Sequence, residues 1–319
     1  PSLNVRTTRI GNRISVATTL TDPSPELRAA FKDASAHGSP HLAAACEHIS
    51  RIRAGDGRYE GVIALSSKPA KAIASRRSPV TGAVRFARNL AAYRSGPYAG
   101  DNHSPGLLRP LLYQTVLNPL RARRAEALLS PGYVTPDSLR GQRFAFLPLH
   151  TEPEVSQLVY ARPLVNQIEL ARMIAYSLPA DMVLVLKEHP WMVGKRSLGA
   201  YAKFLDIPRV RFASPSHTAR TLVQRADIVT VLTSSVGIEA IILGKPVLSF
   251  GHAPFNLLPD HMVLRAADLL VLPDTISELL AASRADEPAL QAYVAAVLAT
   301  SVTANLYSVL LGRTNVHSI

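Results

Sequence analysis

The sequence predicts an α/β fold, with a parallel sheet in the C-terminal half and a smaller, atypical α/β unit before it. From residue 143 onward, short apolar runs alternate with segments of helical spacing. Such alternation is typical of a parallel sheet covered by helices on both faces. The run Met182–Leu186 is continuously apolar, as a strand buried on both faces is. Residues 1–140 are less regular, so we expect them to form a separate part of the chain.

The N-terminal part begins with a predicted hairpin and two helices. Gly11 and Asn12 tolerate positive φ and favour a turn, and Ser24 followed by Pro25 is typical of a helix start. Prolines in the apolar, basic stretch Leu107–Leu129 predict that it is not one long helix. The predicted elements are strands Asn4–Arg9, Arg13–Thr18 and Gly61–Leu65, helices from Ser24 to about Ala34, His41–Arg53 and Pro69–Ser75, and a loop over 92–108.

The C-terminal part shows the regular alternation. Ser216 is a plausible cap for one of its helices, because a hydroxyl can accept a first-turn N–H. The predicted strands are Phe144–Leu149, Met182–Leu186, Arg209–Phe212, Ile228–Leu232 and Pro246–Phe250, with Leu269–Leu272 continuing the series. The predicted helices are Leu164–Leu178, residues 197–205, Ser216–Arg225, Val236–Leu243, Thr275–Ala282 and Pro288–Ala299.

Length and cysteine content narrow the class of protein. A chain of 319 residues can hold two ordinary α/β domains, and we place their boundary between residues 140 and 141. No apolar run reaches the roughly 18–20 residues that a membrane-spanning helix needs. The single cysteine, Cys46, excludes an internal disulfide framework and a cysteine-rich zinc site. A reducing, cytoplasmic setting is therefore expected.

The positive charge is concentrated in the first half. The net charge is +12, and residues 1–140 contain 20 Lys and Arg against 9 Asp and Glu, whereas residues 141–319 contain 15 against 14. This excess predicts attraction to an acidic glycan, an anionic membrane surface or a nucleic acid. Because aromatic residues make up only 6% of the chain, stacking platforms for nucleic acid are scarce. We therefore expect no nucleic-acid partner.

Polar residues follow the first strand of the predicted sheet, where ligands bind in open parallel α/β folds. His150, Glu152 and Glu154 come directly after Phe144–Leu149. A carboxylate here can act as general base on an acceptor hydroxyl, and His150 can orient it or bind phosphate. The alternative is a solvated turn at the start of the next helix.

The second strand exit contains Lys187, Glu188, His189 and Pro190. Lys187 and His189 are suited to phosphate oxygens, and Pro190 restricts His189 to an extended conformation. A surface turn is the alternative interpretation.

The third exit contains Thr233, Ser234, Ser235, Gly237 and Glu239. Hydroxyls before a helix, with Gly237 allowing close approach, indicate a phosphate site at the helix N-terminus. Glu239 lies one turn further and could accept hydrogen bonds from ribose. Ordinary N-capping by a serine is compatible with this role.

The sequence lacks the motifs of other nucleotide-binding sites and of metal sites. The sequence contains neither GxxxxGK[ST] nor GxGxxG, so a kinase-like, ATPase or NAD-dependent enzyme lacks its main support. No cluster has metal-ligand spacing, and we predict neither a metal nor a cofactor.

Across residues 143–255 the chain resembles the capsule polysaccharide biosynthesis protein family. The resemblance rests on Leu149–Glu154, Asn166-Gln167, Lys187–Pro190, Leu232–Ala240, Gly244–Val247 and Phe250-Gly251. His189-Pro190 and Ser234-Ser235 are also similar to the His-Pro and Ser-Ser motifs of GT-B-type bacterial sialyltransferases and Kdo transferases. There they hold the cytidine monophosphate part of the donor.

The resemblance implies a GT-B-like glycosyltransferase with a Rossmann-like nucleotide-sugar domain over residues 141–319 and an acceptor-side domain with a basic linker before it. The donor would be a nucleotide sugar, with a CMP-Kdo-like donor favoured, and the acceptor a polysaccharide or glycolipid. Transfer would need no metal, with Glu154 as base. We expect a cytoplasmic protein with peripheral contact to the anionic inner membrane. The alternatives are a sugar-nucleotide epimerase and a non-catalytic scaffold docked to lipid through Leu107–Leu129.

Overall fold

The computed structural model describes residues 4–8, 10–19, 22–56, 84, 87, 112–113, 117–152, 158, 160–189 and 192–304. The strands are β1 (Asn4–Thr7), β2 (Arg13–Ala17), β3 (Tyr133–Val134), β4 (Arg143–Pro148), β5 (Met182–Lys187), β6 (Val210–Ala213), β7 (Ile228–Val231), β8 (Val247–Ser249), β9 (Val263–Arg265) and β10 (Ser301–Thr303). The helices are α1 (Pro25–His37), α2 (Leu42–Ala54), α3 (Asn118–Leu129), α4 (Gln167–Ser177), α5 (Leu198–Leu205), α6 (Ala219–Val223), α7 (Ser235–Ile242), α8 (Leu272–Ala282) and α9 (Glu287–Ala299).

The main sheet has seven parallel strands in the order β3-β6-β5-β4-β7-β8-β9. From β4 the chain steps outward through β5 to β6, then returns to place β7 on the other side of β4. Strands β4 to β9 therefore have the order 3-2-1-4-5-6 of a doubly wound nucleotide-binding sheet, with its switch point between β4 and β7. The predicted α/β class with a Rossmann-like parallel sheet is confirmed.

Alternating residues of each strand build two separate cores. In β4, Phe144 and Phe146 face the core formed with α1, α2, α6, α7 and α9. Ala145 and Leu147 face the other core, formed with α3, α4, α5 and α8. Period-2 alternation in strands buried on both faces gives this three-layer arrangement. We call the first the α7-side core and the second the α4-side core.

Polar side chains define the starts of several helices. Ser24 accepts the N–H of Leu27 at the start of α1, Asn166 accepts first-turn N–H groups of α4, and Ser234 accepts the N–H of Val236 in α7. Each cap satisfies a backbone donor that the helix itself cannot. Pro119 lies in the first turn of α3, where its missing N–H is tolerated.

The N-terminal elements pack onto the C-terminal half. Strands β1 and β2 form the predicted antiparallel hairpin, and β10 pairs with β2. Leu27 of α1 and Ile49 of α2 share the α7-side core with Tyr293 of α9. The predicted division at residue 140 stays a prediction, and the predicted elements Gly61–Leu65, Pro69–Ser75 and 92–108 lie outside the described residues.

The structure corrects three details. Leu269–Leu272 is not a strand but the approach to α8, and Leu270 is 90% exposed, so its apolar character does not indicate burial. The last strand of the sheet is β9 instead. Helix α6 is capped by Thr218, whose hydroxyl accepts the N–H of Thr221, rather than by Ser216. Strands β3 and β10 have two and three residues, too few to produce a periodic pattern.

Candidate functional site at the carboxyl edge of the sheet

The three predicted polar exits lie at one edge of the sheet. Residues His150–Glu152 lie just beyond β4, Lys187 is the last residue of β5 with Glu188 and His189 after it, and Thr233–Ser235 follow β7. Because β5 and β7 flank β4, and neighbouring strands are about 4.8 Å apart, the outer exits are separated by roughly 10 Å along the sheet. This edge and its switch point are where doubly wound sheets bind ligands. Glu154 and Pro190 lie outside the described residues.

A buried glutamine holds the β4 exit. Gln167, the first residue of α4, is 2% exposed. Its Oε1 accepts the N–H of His150 at 2.7 Å, and its Nε2 donates to the carbonyl of His150 at 3.3 Å and to the carboxylate of Glu152. Gln167 therefore binds both the backbone N–H and the carbonyl of His150, and the side chain of His150 is itself buried.

Arg196 connects the β4 and β5 exits. Its guanidinium is 3% exposed, with Nε 2.8 Å from Oε2 of Glu188 and Nη1 3.1 Å from Oε2 of Glu152. Its Nη2 donates to the carbonyl of His150 at 3.3 Å, and the ring of Phe204 lies beneath it at 5.7 Å. Burial alone would lower the pKa of Arg196, but the carboxylates of Glu188 and Glu152 raise it. The sequence analysis did not single out this arginine.

The two charged residues at the end of β5 point to opposite faces of the sheet. Leu184 and Leu186 face the α4-side core, and Glu188 continues on that side, where its carboxylate accepts hydrogen bonds from Arg196 and the hydroxyl of Tyr201. Val183 and Val185 face the α7-side core, so strand alternation directs Lys187 to that side.

Glu188 was predicted to bind the donor, and the structure gives it another task. Its carboxylate is 7% exposed, and Oε1 accepts the N–H of His189 at 2.9 Å. Both oxygens are therefore engaged within the protein. Glu188 therefore shapes the backbone of the exit, and its predicted contact with the donor stays a prediction.

Lys187 is a half-buried cation on the α7 side. Burial lowers the pKa of its amine to about 8, and it forms no ion pair with any described residue. A buried lysine that forms no ion pair with a carboxylate can pair with a negatively charged ligand instead. The phosphate-binding role of Lys187 stays a prediction.

Some of the backbone N–H groups at the N-terminus of α7 donate hydrogen bonds to its own cap residue. The Ser234 hydroxyl accepts the N–H of Val236 at 3.2 Å, and the Ser234 carbonyl accepts the N–H of Gly237 at 2.9 Å. The Thr233 hydroxyl is buried and has no hydrogen-bond partner in the described part of the chain. The helix dipole and the Ser235 hydroxyl therefore remain to recognise a ligand.

Gly237 has a packing role in the structure, and its predicted role in the close approach of a ligand stays a prediction. A Cβ at this position would lie 2.6 Å from Cζ of Phe255. The ring of Phe255 occupies the space next to the glycine, so the absence of a side chain lets α7 and the Pro254–Leu257 turn pack together.

Glu239 lies one turn into α7 and faces Arg220 of α6. The distance between Oε1 of Glu239 and Nη1 of Arg220 is 3.2 Å, and Nη2 of Arg220 donates to the carbonyl of Arg53 at 2.7 Å. This pair ties the end of α2 to α6 and α7. The Glu239 side chain is still 32% exposed, so it can accept further hydrogen bonds.

The described residues contain neither a membrane-spanning helix nor a cluster of metal-ligating side chains. No helix in these ranges is long and apolar enough to cross a bilayer. None of the same residues form a group of three or more His, Cys, Asp or Glu side chains that could hold a metal ion. The predicted absence of a metal stays a prediction.

Several known proteins are similar to this chain in sequence or in structure. It is 32% identical to Protein FixF of Sinorhizobium fredii (strain NBRC 101917 / NGR234) over 130 residues, which cover 40% of this chain and 30% of FixF. The KpsC β-Kdo 2,7 transferase of Thermosulfurimonas dismutans has a TM-score of 0.36 and 19% identity, covering 64% of this chain and 62% of KpsC. A putative UDP-N-acetylglucosamine 2-epimerase of Listeria monocytogenes has a TM-score of 0.36 and 17% identity, covering 62% and 52%.

The family comparison matches the part of the sheet that contains two of the three exits. Residues 164–258 match the model of the family described as capsule polysaccharide biosynthesis protein. This range includes Gln167, the Lys187–His189 exit and the Thr233–Glu239 segment. The resemblance drawn from the sequence is confirmed there: residues 164–258 are similar to the capsule polysaccharide biosynthesis protein family.

Proposed function

We propose that this protein is a GT-B-like glycosyltransferase that moves a sugar from a nucleotide donor, with a CMP-Kdo-like donor favoured, to a growing surface polysaccharide or glycolipid. One observation carries the proposal. Within the segment related to the capsule polysaccharide biosynthesis family, Lys187 and the N-terminus of α7 face the same side of the sheet at its switch point. A lysine and a helix N-terminus are both suited to the phosphate of a nucleotide.

In the proposed reaction, an acceptor hydroxyl oxygen bonds to the anomeric carbon of the donor sugar. The bond between that carbon and the donor phosphate oxygen breaks, and the electron pair leaves with the nucleotide. Lys187, His189 and the N-terminus of α7 stabilise the negative charge on the departing phosphate. Glu154 accepts the proton of the acceptor hydroxyl, and no metal takes part.

The first and the third exits have different tasks in this mechanism. Ser235 and Glu239 bind the nucleotide from the β7 side, with Glu239 accepting hydrogen bonds from ribose. His150, fixed by Gln167, orients the base or contacts the phosphate. Attraction of the basic N-terminal part to an anionic membrane surface would bring the enzyme to a lipid-linked acceptor.

Sugar transfer by the purified full chain tests the proposal. The wild-type protein and His189→Ala are incubated with CMP-Kdo, UDP-sugars and GDP-sugars, with and without a capsule oligosaccharide acceptor. The proposal predicts an acceptor-dependent product that His189→Ala reduces at least tenfold. A new sugar nucleotide formed without acceptor would establish the epimerase alternative, and unchanged transfer by His189→Ala would remove His189 from the mechanism.

A further inference from the structure

The guanidinium of Arg196 is shared by two strand exits. It contacts the carbonyl of His150 and the carboxylate of Glu152 after β4, and the carboxylate of Glu188 after β5. Three acceptors in three directions suit the planar, five-donor fork of arginine, and a lysine ammonium cannot reproduce that geometry.

Glu188 links the guanidinium of Arg196 to the backbone of His189. One of its oxygens accepts the N–H of His189 at 2.9 Å, and the other binds Arg196 and the Tyr201 hydroxyl, each at 2.8 Å. The backbones of His150 and His189 are therefore connected through two buried side chains. A shift of Arg196 would move the two predicted site histidines relative to each other.

Stability alone is a weak explanation for this arrangement. A buried ion pair is often replaceable by apolar residues of similar volume without loss of stability, because desolvation offsets most of the attraction. The α4-side core beside it is otherwise apolar around Tyr201 and Phe204. The charged groups are placed where the two exits meet, which favours a role in geometry.

We infer that Arg196 is a positioning residue for sugar transfer, holding the β4 and β5 exits at a fixed separation through Glu152, Glu188 and the carbonyl of His150. This inference rests on the proposed function. The side chain of Arg196 is only 3% exposed, so it is not placed to touch donor or acceptor. It acts on the chemistry through the two histidine-bearing backbones.

Arg196→Lys tests the inference by keeping the charge and removing the fork. We expect kcat for transfer to fall about 100-fold, as misplacement of reacting groups by about 1 Å can cause. The KM for the donor should change less than about threefold, since the α7 contacts are untouched. Tyr201→Phe, which removes one bond to Glu188, should give a smaller loss of about tenfold and provides the test if Arg196→Lys does not fold.

Arg209→Lys is the matched control. The Arg209 guanidinium donates to the carbonyls of Ala175, Leu178, Pro179 and Met182 at the opposite edge of the sheet. This variant should lose thermal stability and keep its kcat within about twofold. Equal losses of kcat in Arg196→Lys and Arg209→Lys would overturn the inference, because they would show a general effect of destabilisation.

A second readout separates this inference from the proposed function. Backbone amide NMR signals of His150 and His189 should shift in Arg196→Lys and stay in place in Arg209→Lys. If the wild-type protein transfers no sugar, the proposed function fails while these shifts still report on positioning. Unchanged signals of both histidines in Arg196→Lys would overturn the inference whatever the activity.

Discussion

The Nε atom of Arg196 lies 2.8 Å from Oε2 of Glu188, and the two side chains are 3% and 7% exposed. This buried pair divides the charged residues at the end of β5 into two groups. Glu188 turns toward the α4-side core and organises the backbone, while Lys187 faces the α7 side and remains available for a ligand. Adjacent residues of a strand point to opposite faces. Glu188 can therefore stabilise the structure while Lys187 is placed to bind a ligand.

Glu188→Gln should lower the free energy of unfolding by about 3 kcal/mol, because it leaves a buried arginine with one charged partner fewer. Urea denaturation followed by circular dichroism measures the change. Glu169→Gln is the control, since Glu169 forms an exposed pair with Arg172 on α4 and should change stability by less than about 0.5 kcal/mol. Equal effects of the two variants would show that the buried pair contributes little to stability.

Lys187 should make nucleotide binding depend on pH. Burial lowers the pKa of its amine to about 8, so the cation that attracts phosphate is lost as pH rises through about 8, and affinity should fall. Phosphate binding would itself move this transition upward. Calorimetric titration with CMP between pH 7 and pH 10 measures it. Lys187→Met should weaken binding at pH 7 and flatten the profile, whereas Lys203→Met, an exposed change on α5, should leave both unaltered.

The same lysine should affect stability in the opposite direction. Its pKa is lower in the folded protein than in the unfolded chain, so the unfolded chain binds more protons between about pH 8 and pH 10.5. The contribution of Lys187 to stability therefore improves as pH rises through that window, and below it the desolvation penalty is complete. In Lys187→Met this component of the pH dependence should disappear from urea denaturation curves.

The two serines of the β7 exit can be separated by their effects. Ser234→Ala removes the cap of α7 and should cost about 1 kcal/mol of stability. Ser235 forms no hydrogen bond in the described structure other than those of its helix backbone, so Ser235→Ala should change stability by less than about 0.5 kcal/mol. If Ser235 binds the donor, its variant should still lower CMP affinity. Normal CMP affinity in Ser235→Ala would exclude this serine from the site.

Gly237→Ala should destabilise the protein through packing. The new methyl group would lie 2.6 Å from Cζ of Phe255, and such overpacking costs about 1–3 kcal/mol. Gly199→Ala in α5 is the matched control, because no atom lies within 4 Å of the added methyl group, and alanine is the better helix former. Thermal denaturation should show a loss for the first variant only. A loss of equal size in both would contradict the packing explanation.

The regular part of the fold was predictable because its strands are buried on both faces. β4 is apolar from Phe144 to Pro148, β5 from Met182 to Leu186, and β7 is apolar apart from the buried Thr230, and the helices between them have clear spacing. The wrong secondary-structure predictions arose where the apolar pattern of a segment does not correspond to its burial. Within Leu269–Leu272, Leu270 is apolar but 90% exposed, and β9 has only three residues. Pairing of β10 with β2 joins residues almost 300 positions apart, which local patterns do not encode.

The candidate site was predictable in position but not in the direction of its side chains. The order of strands in the sequence correctly predicted that the three polar exits lie at the carboxyl edge of one parallel sheet. It could not tell that Glu188 points away from the α7 side, or that Gly237 accommodates Phe255. Arg196 was missed because its partners come from two strand exits. The only sequence signal was a cationic pair, Lys195-Arg196, soon after the β5 exit.

Mapping a nucleotide onto the backbone tests the central claim most directly. Amide NMR signals of the full chain are followed during titration with CMP, with UDP and GDP for comparison. We predict that the largest changes occur at Lys187 to His189 and Thr233 to Gly237, and that Arg143 and Asp181 at the opposite edge remain unaffected. Changes confined to that opposite edge, or none with any of the nucleotides, would contradict a phosphate site formed by the ends of β5 and β7.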